Sequence, residues 1–250
     1  MKQDRIQVWS SGGGVQSTAI AALIVMDELR PDYSIIVDTE REMRTTWDYL
    51  DKFVRPALER VDIVLHRVRK SHYTTVDLYS SNGDLLIPAY TNQNVEIGKL
   101  PTFCSSEWKK RVMHRWATEQ GIKKALVWMG FTIDELRRCK QILGKWQERY
   151  PLIERRMTRS DCIALVKKMG WPEPPRSSCY MCPNKSQQEW IWMKQHSSDD
   201  FKRAIKFEKY MRKKDDAIWL TQLGEPIEQI DFEKTDDLFG GRCDSGMCFV

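Results

Sequence analysis

The sequence predicts an α/β protein: a doubly wound parallel sheet with helices on both faces, followed by a cysteine-rich C-terminal region. Strand-like runs of β-branched and aromatic residues alternate with helical patterns in the first part of the chain. Three consecutive glycines, Gly12–Gly14, separate the first of these runs from the first helical pattern. Four of the seven cysteines lie from residue 179 onward. Together these features indicate a Rossmann-like sheet and a cysteine-bearing region after it.

The first third of the chain alternates strand and helix in the order that a parallel sheet requires. Parallel neighbours need a crossover connection, usually a helix, between them. The predicted strands are Arg5–Trp9, Tyr33–Val37 and Val61–Val68. The predicted helices are Gln16–Leu29, which is apolar on several faces, and Thr45–Arg60, whose apolar residues have helical spacing.

The middle of the chain contains one long irregular segment. Residues 70–103 carry glycine, proline and asparagine at short intervals, which predicts a long loop with one short strand. Ser105–Gly121 is predicted to be a helix, and Ala125–Phe131 a fourth strand. The motif Thr132-x-x-Glu135 then matches a capping box, which predicts a helix over Asp134–Glu148.

Two further helices are predicted in the C-terminal part. One covers Thr158–Lys168, and the other runs through Trp190–His196 after the capping box Ser186-x-x-Glu189. We therefore predict two domains: residues 1–150 form the nucleotide-binding α/β domain, and residues 151–250 form a helical cysteine-rich region packed on it.

Composition restricts the class of protein. The chain has 250 residues, of which 41% are hydrophobic and 30% charged, as is ordinary for a globular protein. The longest apolar run, Ala19–Met26, is too short to span a bilayer, and the N-terminus lacks a signal-peptide core, so we expect a cytoplasmic protein without a membrane partner. The net charge of +5 suits an anionic partner such as a nucleotide or nucleic acid, or reflects a solvated surface.

The residues around the glycines form the most informative motif. Ser10-Ser11-Gly12-Gly13-Gly14-Val15-Gln16-Ser17 joins a strand to a helix. Backbone N–H groups of such a loop, the helix N-terminus and the serine hydroxyls can together bind a phosphate or sulfate. The motif lacks both the Gly-Lys-Ser/Thr of a Walker A loop and the spacing of a dinucleotide fingerprint. The alternative is a strand-to-helix turn that simply needs glycine.

The motif Ser-Gly-Gly-x-x-x-Ser resembles the PP-loop of ATP pyrophosphatases and PAPS reductases, and Val37-Asp38-Thr39 resembles the strand-end motif of that family. Gly130-Phe131-Thr132-Ile133-Asp134-Glu135 with Arg137 and Arg138 resembles a segment of its phage or mobile-element type, as do the C-terminal cysteine motifs. This chain has one extra glycine, and Gln16 stands where the family often has an acidic residue.

The resemblance implies that the chain binds ATP or a sulfonucleotide, PAPS or APS, with Mg²⁺ as an accompanying ion. It implies these nucleotide-binding residues: Ser10, Ser11, Gly12, Gly13, Gly14, Gln16, Ser17, Asp38, Thr39 and Gly130. Arg137 and Arg138 are candidates to hold an anionic substrate group, because guanidinium groups bind such groups through two hydrogen bonds. The alternatives are a capping or turn role for Asp38 and a solvated basic surface for the arginines.

The cysteines of a cytoplasmic chain indicate metal or redox chemistry rather than disulfides. Cys179-x-x-Cys182 can chelate a metal or act as a redox dithiol. In the family that the chain resembles, a Cys-Cys pair and a later Cys-x-x-Cys hold a 4Fe–4S cluster; here Cys104 is followed by Ser105.

The resemblance therefore implies a ligand set for the cluster, with zinc as the alternative metal: Cys104, Cys179, Cys182 and Cys243. Cys248 would then be the catalytic nucleophile, although the roles of the two tail cysteines are interchangeable. Cys139 and Cys162 lie on apolar helical patterns and are expected to be small buried side chains.

Two functional hypotheses follow. The first is a sulfonucleotide reductase-like or ATP pyrophosphatase/sulfurtransferase-type enzyme that binds an adenine nucleotide and uses a cysteine-ligated cluster or thiol for sulfur or redox chemistry. The second is a non-catalytic nucleotide-binding accessory protein of a mobile-element or nucleic-acid-associated system. Expected partners are a nucleic acid, a protein donor of electrons or sulfur, and a second copy of the chain in a homodimer.

Overall fold

The strands of the computed structural model are, in chain order, β1 (Ile6–Ser11), β2 (Tyr33–Asp38), β3 (Leu65–Arg69), β4 (Tyr90–Asn94), β5 (Glu96–Lys99), β6 (Ala125–Trp128), β7 (Trp146–Arg149) and β8 (Ile218–Trp219). The α-helices are α1 (Val15–Val25), α2 (Arg44–Tyr49), α3 (Arg55–Glu59), α4 (Arg111–Glu119), α5 (Pro151–Glu154), α6 (Arg159–Lys168), α7 (Gln187–His196) and α8 (Ser198–Arg212). Lys70–His72 and Ile133–Arg138 are 3₁₀ helices, and Leu50–Val54 and Ser105–Lys110 are π-helical. The structure describes residues 5–74, 76–94, 96–140 and 144–233.

The chain divides into two compact units. The first comprises Met1–Thr74 and Trp108–Ser177, and the second comprises Thr75–Glu107 and Ser178–Val250. We predicted a division at residue 150, whereas this grouping places residues 151–177 with the sheet and residues 75–107 with the C-terminal part. No helix of the described ranges is long and apolar enough to cross a membrane.

The first unit contains the predicted parallel sheet. Its five strands run in the order β3-β2-β1-β6-β7, and every neighbouring pair is parallel. The predicted α/β class with a doubly wound parallel sheet is therefore confirmed. The chain winds from β1 towards β3 on one side and then returns to β6 and β7 on the other. The direction of winding thus reverses between β1 and β6.

Side chains of the central strand alternate between two apolar cores. Trp9 belongs to one cluster together with residues of α1 and α6, whereas Val8 belongs to a second cluster together with residues of α4. This alternation follows from the two-residue period of a strand. Helix α1 buries nine of its eleven residues, as is typical of a helix that is apolar on all sides. Both faces of the sheet are therefore covered by helices.

Two sequence predictions after residue 69 were wrong. The segment predicted as a helix over Asp134–Glu148 is the 3₁₀ helix Ile133–Arg138, followed later by edge strand β7. The predicted capping box does not form, because Glu135 has a φ of −114° and its carboxylate bonds Gln16 and Arg138. Residues 70–103 contain two strands, β4 and β5, which form an antiparallel sheet with β8 in the second unit.

Two other helix starts match their sequence signals. Ser186 and Glu189 form the predicted reciprocal capping box at the start of α7. Thr158 and Asp161 form a second one at the start of α6, inside the helix predicted over 158–168. In both, the side chains satisfy N–H groups that have no partner within the helix.

Candidate functional site

The glycine loop, residues 12–14, connects the carboxyl end of β1 to the first turn of α1. The N–H of Gly12 donates to Oγ of Ser17 at 2.8 Å, and the N–H of Gly13 donates to Oγ of Ser11 at 3.3 Å. We expected these hydroxyls to donate to a bound anion. Here they accept hydrogen bonds from the loop itself, and because a hydroxyl is both acceptor and donor, each keeps its proton for a further acceptor.

Position 13 requires glycine for two reasons. Its φ is +75°, in the left-handed region that favours glycine. A Cβ at this position would lie 2.9 Å from Cγ2 of Thr46 and 3.4 Å from Cδ1 of Ile36. The loop therefore passes closely over β2 and α2, and only the absence of a side chain permits that approach.

Helix α1 begins at this loop with Gly14 as its N-cap residue. Gly14 has no side chain to cap the helix, and the first turn contains no acidic residue. The first N–H groups of a helix have no partner inside the helix, and they carry the positive end of its dipole. This end of α1 is therefore suited to bind phosphate or sulfate.

The loop lies at the reversal point of the sheet. Gly130 follows β6, the strand next to β1, and a Cβ on it would lie 3.3 Å from the backbone nitrogen of Ser17. The segment after β6 therefore packs directly on the first turn of α1. In open α/β sheets, ligands bind outside the carboxyl ends of the strands at such a reversal. The structure thus brings Gly130 and the glycine loop together.

A serine from a distant segment also reaches the loop. The hydroxyl of Ser177 bonds the carbonyl oxygen of Gly12 and lies 2.8 Å from Oε1 of Glu42. The carboxylate of Glu42 is buried, and its Oε2 lies 3.9 Å from Nζ of Lys109. Sequence analysis did not identify Ser177 or Glu42, because the two residues are 135 positions apart and their contact forms only in the folded chain.

Two threonine hydroxyls of the first unit have no hydrogen-bond partner in the described part of the chain. They belong to Thr45 and Thr46, in the first turns of α2. Thr46 is fully buried and lies against Gly13. A buried hydroxyl without a partner is unfavourable unless a ligand or water completes it. These side chains are therefore further candidates to contact a bound molecule.

Asp38 and Thr39 lie at the carboxyl end of β2, next to the end of β1. Both are buried. Oδ2 of Asp38 accepts two hydrogen bonds from Arg67, at 2.9 and 2.7 Å, and Oδ1 accepts the N–H of Glu40 at 2.7 Å. The turn role considered for Asp38 therefore corresponds to an observed contact, and only the remaining lone pairs of its carboxylate could accept a further hydrogen bond.

Arg137 and Arg138 differ in their surroundings. The side chain of Arg137 is exposed. The guanidinium of Arg138 pairs with Oε1 of Glu135 and lies 4.4 Å from the ring centre of Phe131. Any anion bound by Arg138 therefore competes with a buried carboxylate that already contacts it.

Two cations flank one buried tryptophan near the carboxyl ends of β2 and β3. The guanidinium of Arg41 lies 5.1 Å, and the ammonium of Lys70 5.2 Å, from the ring centre of Trp108. Lys70 is only 4% exposed. Cations over an aromatic face are attracted by its negative quadrupole. They place positive charge at the edge of the sheet that carries the glycine loop.

The expected metal ligands are only partly described. Cys104, Cys179 and Cys182 all belong to the second unit and are half-buried. The N–H of Cys182 donates to the carbonyl oxygen of Cys179 at 3.1 Å, so the Cys-x-x-Cys forms a turn. Cys243 and Cys248 lie outside the described residues.

Within the described ranges, no group of three or more His, Cys, Asp or Glu side chains is arranged to hold a metal ion. The predicted ligand set has four cysteines, and three of them, Cys104, Cys179 and Cys182, lie in the described ranges. These three are not arranged here as a cluster or zinc site.

The other two cysteines differ in burial. Cys162 is fully buried on α6, as predicted, and burial raises the pKa of its thiol to about 12. Cys139 was expected to be buried as well, but it is only half-buried at the end of a 3₁₀ helix rather than inside an α-helix. Its pKa is also raised, chiefly by burial.

Comparison with known proteins gives a limited result. No protein-family model and no curated protein matches the chain. Three similar solved structures are the U34-tRNA thiolase NcsA of Methanococcus maripaludis with its 4Fe–4S cluster, the PAPS reductase of Candida auris in a phosphate complex, and the NMN synthetase of Francisella tularensis.

Their TM-scores are 0.48, 0.41 and 0.44, at 12%, 14% and 16% identity respectively. The matches cover 84%, 68% and 66% of this chain and 73%, 76% and 61% of the other chains. Likenesses at this level carry no argument about the function of this chain, which we argue from its own residues.

Proposed function

We propose that this protein is an enzyme that binds an adenine nucleotide, ATP or an adenylyl sulfate, with its phosphate or sulfate groups at the glycine loop. The observation that carries this proposal is the position of Gly12–Gly14. The loop lies at the N-terminus of α1 and at the reversal point of the parallel sheet. Both features independently favour an anionic ligand at the same place.

The donors around the loop suit a phosphate chain. They are the first-turn N–H groups of α1 and the hydroxyls of Ser11 and Ser17, with Thr46 close by. Fixed donors of this kind stabilise negative charge that develops on a leaving group, and they need little reorganisation during the reaction. We therefore propose that the loop binds the anionic leaving group when the nucleotide is cleaved.

The adenosine is proposed to lie towards the end of β2, at Asp38 and Thr39. Parallel strands lie about 4.8 Å apart, so a nucleotide that is bound at the end of β1 easily spans the distance to β2. Asp38 and Thr39 are buried, and the hydrogen bonds from Arg67 hold the carboxylate of Asp38 in place. The resemblance of Val37-Asp38-Thr39 to a nucleotide-contacting motif supports the same placement.

The sulfur chemistry stays a prediction. A 4Fe–4S cluster or zinc ion held by Cys104, Cys179, Cys182 and Cys243, with Cys248 as a nucleophile, depends partly on residues outside the described ranges. Iron, zinc and acid-labile sulfide should be measured after anaerobic purification of the full chain. About four irons and four sulfides per chain would support the cluster, whereas stoichiometric zinc without sulfide would support the alternative.

Equilibrium binding to the full chain tests the proposal directly. Isothermal titration with ATP, adenylyl sulfate, GTP and adenosine separates recognition of the base from recognition of the phosphates. We expect ATP or adenylyl sulfate to bind, and adenosine without phosphate to bind at least about tenfold more weakly, since the loop contacts only the anionic groups. No binding of either nucleotide would contradict the proposal.

Product analysis distinguishes the enzyme hypothesis from the hypothesis of a non-catalytic accessory protein. If ATP is the substrate, incubation with ATP and Mg²⁺, with and without nucleic acid, should produce AMP and pyrophosphate. If adenylyl sulfate is the substrate, its incubation with a thiol reductant should produce AMP and sulfite. Binding without either product would favour the non-catalytic alternative.

A further inference from the structure

A buried carboxylate lies beside the first turn of α1, although the loop itself contains no acid. It belongs to Glu135, which is 4% exposed and lies in the 3₁₀ helix after β6. Its Oε2 accepts a hydrogen bond of 3.0 Å from Nε2 of Gln16, and its Oε1 pairs with Arg138. The contact with Gln16 joins residues that are 119 positions apart in the chain.

We propose that Glu135 is a positioning residue of the glycine loop. Through Gln16, its carboxylate fixes the first turn of α1 against the segment that follows β6, and so sets the direction of the N–H groups that receive the anion. This inference rests on the proposed nucleotide site and identifies a residue on which the binding geometry of that site depends.

Both ends of the Gln16 amide are held. Nε2 donates to Glu135, while Oε1 lies 3.4 Å from a guanidinium nitrogen of Arg159. The backbone N–H of Arg159 in turn donates to Oδ2 of Asp134 at 2.7 Å. The 3₁₀ helix is therefore linked to Gln16 by two routes, directly through Glu135 and indirectly through Asp134 and Arg159. A side chain that is held at both polar ends has little freedom to change its rotamer.

The segment after β6 also packs on the first turn of α1. A Cβ on Gly130 would lie 3.3 Å from the backbone nitrogen of Ser17 and 3.4 Å from Cβ of Gln16, which is tighter than an ordinary contact. The hydrogen bond that Gln16 donates to Glu135 makes the contact between this segment and α1 directional. A hydrogen bond weakens steeply as its angle departs from linearity.

The charges explain why glutamine suits position 16. A glutamate there would place a second carboxylate within about 3 Å of Glu135, and two carboxylates at that separation repel each other strongly. In the native arrangement, the pairing with Arg138 offsets the negative charge of Glu135. The positive end of α1 therefore keeps its attraction for an anionic ligand.

Three variants of the full chain test the inference: Glu135→Gln, Gln16→Glu and the double variant that carries both. The double variant exchanges the two side chains, so one amide and one carboxylate again face each other. The control is Asp200→Asn, because Asp200 is also a buried acid in an i,i+3 pair with an arginine, Arg203, but lies on α8 in the second unit. Urea unfolding of each variant reports global stability.

Amide hydrogen exchange without ligand is the deciding measurement, together with the dissociation constant for ATP. We expect exchange in the peptide covering residues 12–17 to rise about tenfold in each single variant, relative to peptides of β1, and to return to within about threefold of the native rate in the double variant. ATP binding should weaken and recover in parallel. The control should leave both readouts at their native values.

Two results would overturn the inference. One is unchanged exchange at residues 12–17 in Glu135→Gln; the other is a change no larger than that of Asp200→Asn. A native protein that binds no nucleotide would instead refute the proposed function, and the exchange measurement would still decide whether Glu135 positions the loop.

Discussion

Arg67 directs two guanidinium nitrogens to a single oxygen of Asp38, at 2.9 and 2.7 Å, while its guanidinium carbon lies 3.7 Å from the ring centre of Trp47. The Asp38 side chain is 5% exposed and that of Arg67 is 40% exposed. An ion pair with one buried partner differs from a surface pair, because the carboxylate has lost most of its water and depends on its protein donors. The end of β2 is therefore fixed by this contact.

Replacing Asp38 with asparagine should lower the free energy of unfolding by about 1–3 kcal/mol. The amide brings an NH₂ group to a place where the N–H of Glu40 and the guanidinium of Arg67 both require an acceptor. Urea unfolding measures the change. Asp51→Asn is the control, because Asp51 pairs with Arg55 at 2.8 Å on the surface of a helix and should contribute only about 0.3–0.5 kcal/mol. Equal effects of the two substitutions would contradict this account.

Gly13→Ala should weaken both the fold and the binding of ATP. Gly13 and Gly170 have nearly the same backbone angle, with φ of +75° and +74°, so alanine at either position incurs a left-handed penalty of about 1 kcal/mol. Only at Gly13 does the added Cβ meet a neighbour, Cγ2 of Thr46 at 2.9 Å; nothing lies within 4 Å at Gly170.

Urea unfolding and titration with ATP separate these effects. Gly170→Ala should lose stability without losing affinity, whereas Gly13→Ala should lose more stability and at least about tenfold in affinity, as expected when binding groups are displaced. Unchanged affinity in Gly13→Ala would exclude the loop as the binding site.

Local signals were sufficient to predict the centre of the fold. The apolar runs predicted the parallel strands, and β2, which is buried from Ser34 to Asp38, is the clearest case because helices cover both faces of the sheet. The three adjacent glycines indicated an anion-binding loop or a turn that needs glycine, and Gly13 has the positive φ of +75° that favours this residue.

Contacts between distant segments determine the features that the sequence analysis did not predict. The capping-box pattern at Thr132 and Glu135 is local, but Glu135 bonds Gln16 on the other side of the crevice, and this partner cannot be seen in a window of ten residues. Likewise β4 pairs with β8, and Tyr90 lies opposite Trp219. Ser177 contacts both Gly12 and Glu42 only in the folded chain, and no sequence motif links these three residues.

Cys162 should resist alkylation in the native protein. Burial raises the pKa of its thiol to about 12, so only about one molecule in ten thousand carries the reactive thiolate at pH 8. Brief treatment with iodoacetamide, followed by peptide mass mapping, should show Cys162 unmodified in the native state and fully modified in 8 M urea. Native labelling of Cys162 at the rate of an ordinary exposed thiol would contradict its burial on α6.

Glu208 should make the second unit less stable as the pH rises. Its carboxylate is buried on α8 and accepts the N–H of Leu220 at 3.1 Å and of Ile227 at 2.8 Å. Burial nevertheless raises its pKa above the ordinary value, while these two hydrogen bonds oppose the shift. A carboxyl whose folded pKa is raised contributes its full stability below the unfolded pKa, and it loses this contribution as the pH rises through the folded pKa.

The difference in unfolding free energy between the native chain and Glu208→Gln should therefore be largest near pH 4 and shrink towards neutral pH. Other titrating groups are the same in both proteins and cancel in this difference. Urea unfolding at intervals from pH 4 to 7.5 measures it. Glu208→Ala should follow the same trend and cost more than Glu208→Gln, about 2–4 kcal/mol near pH 4, because both buried N–H groups lose their acceptor. A difference for Glu208→Gln that grows with pH would show instead that the two N–H bonds outweigh burial at this carboxylate.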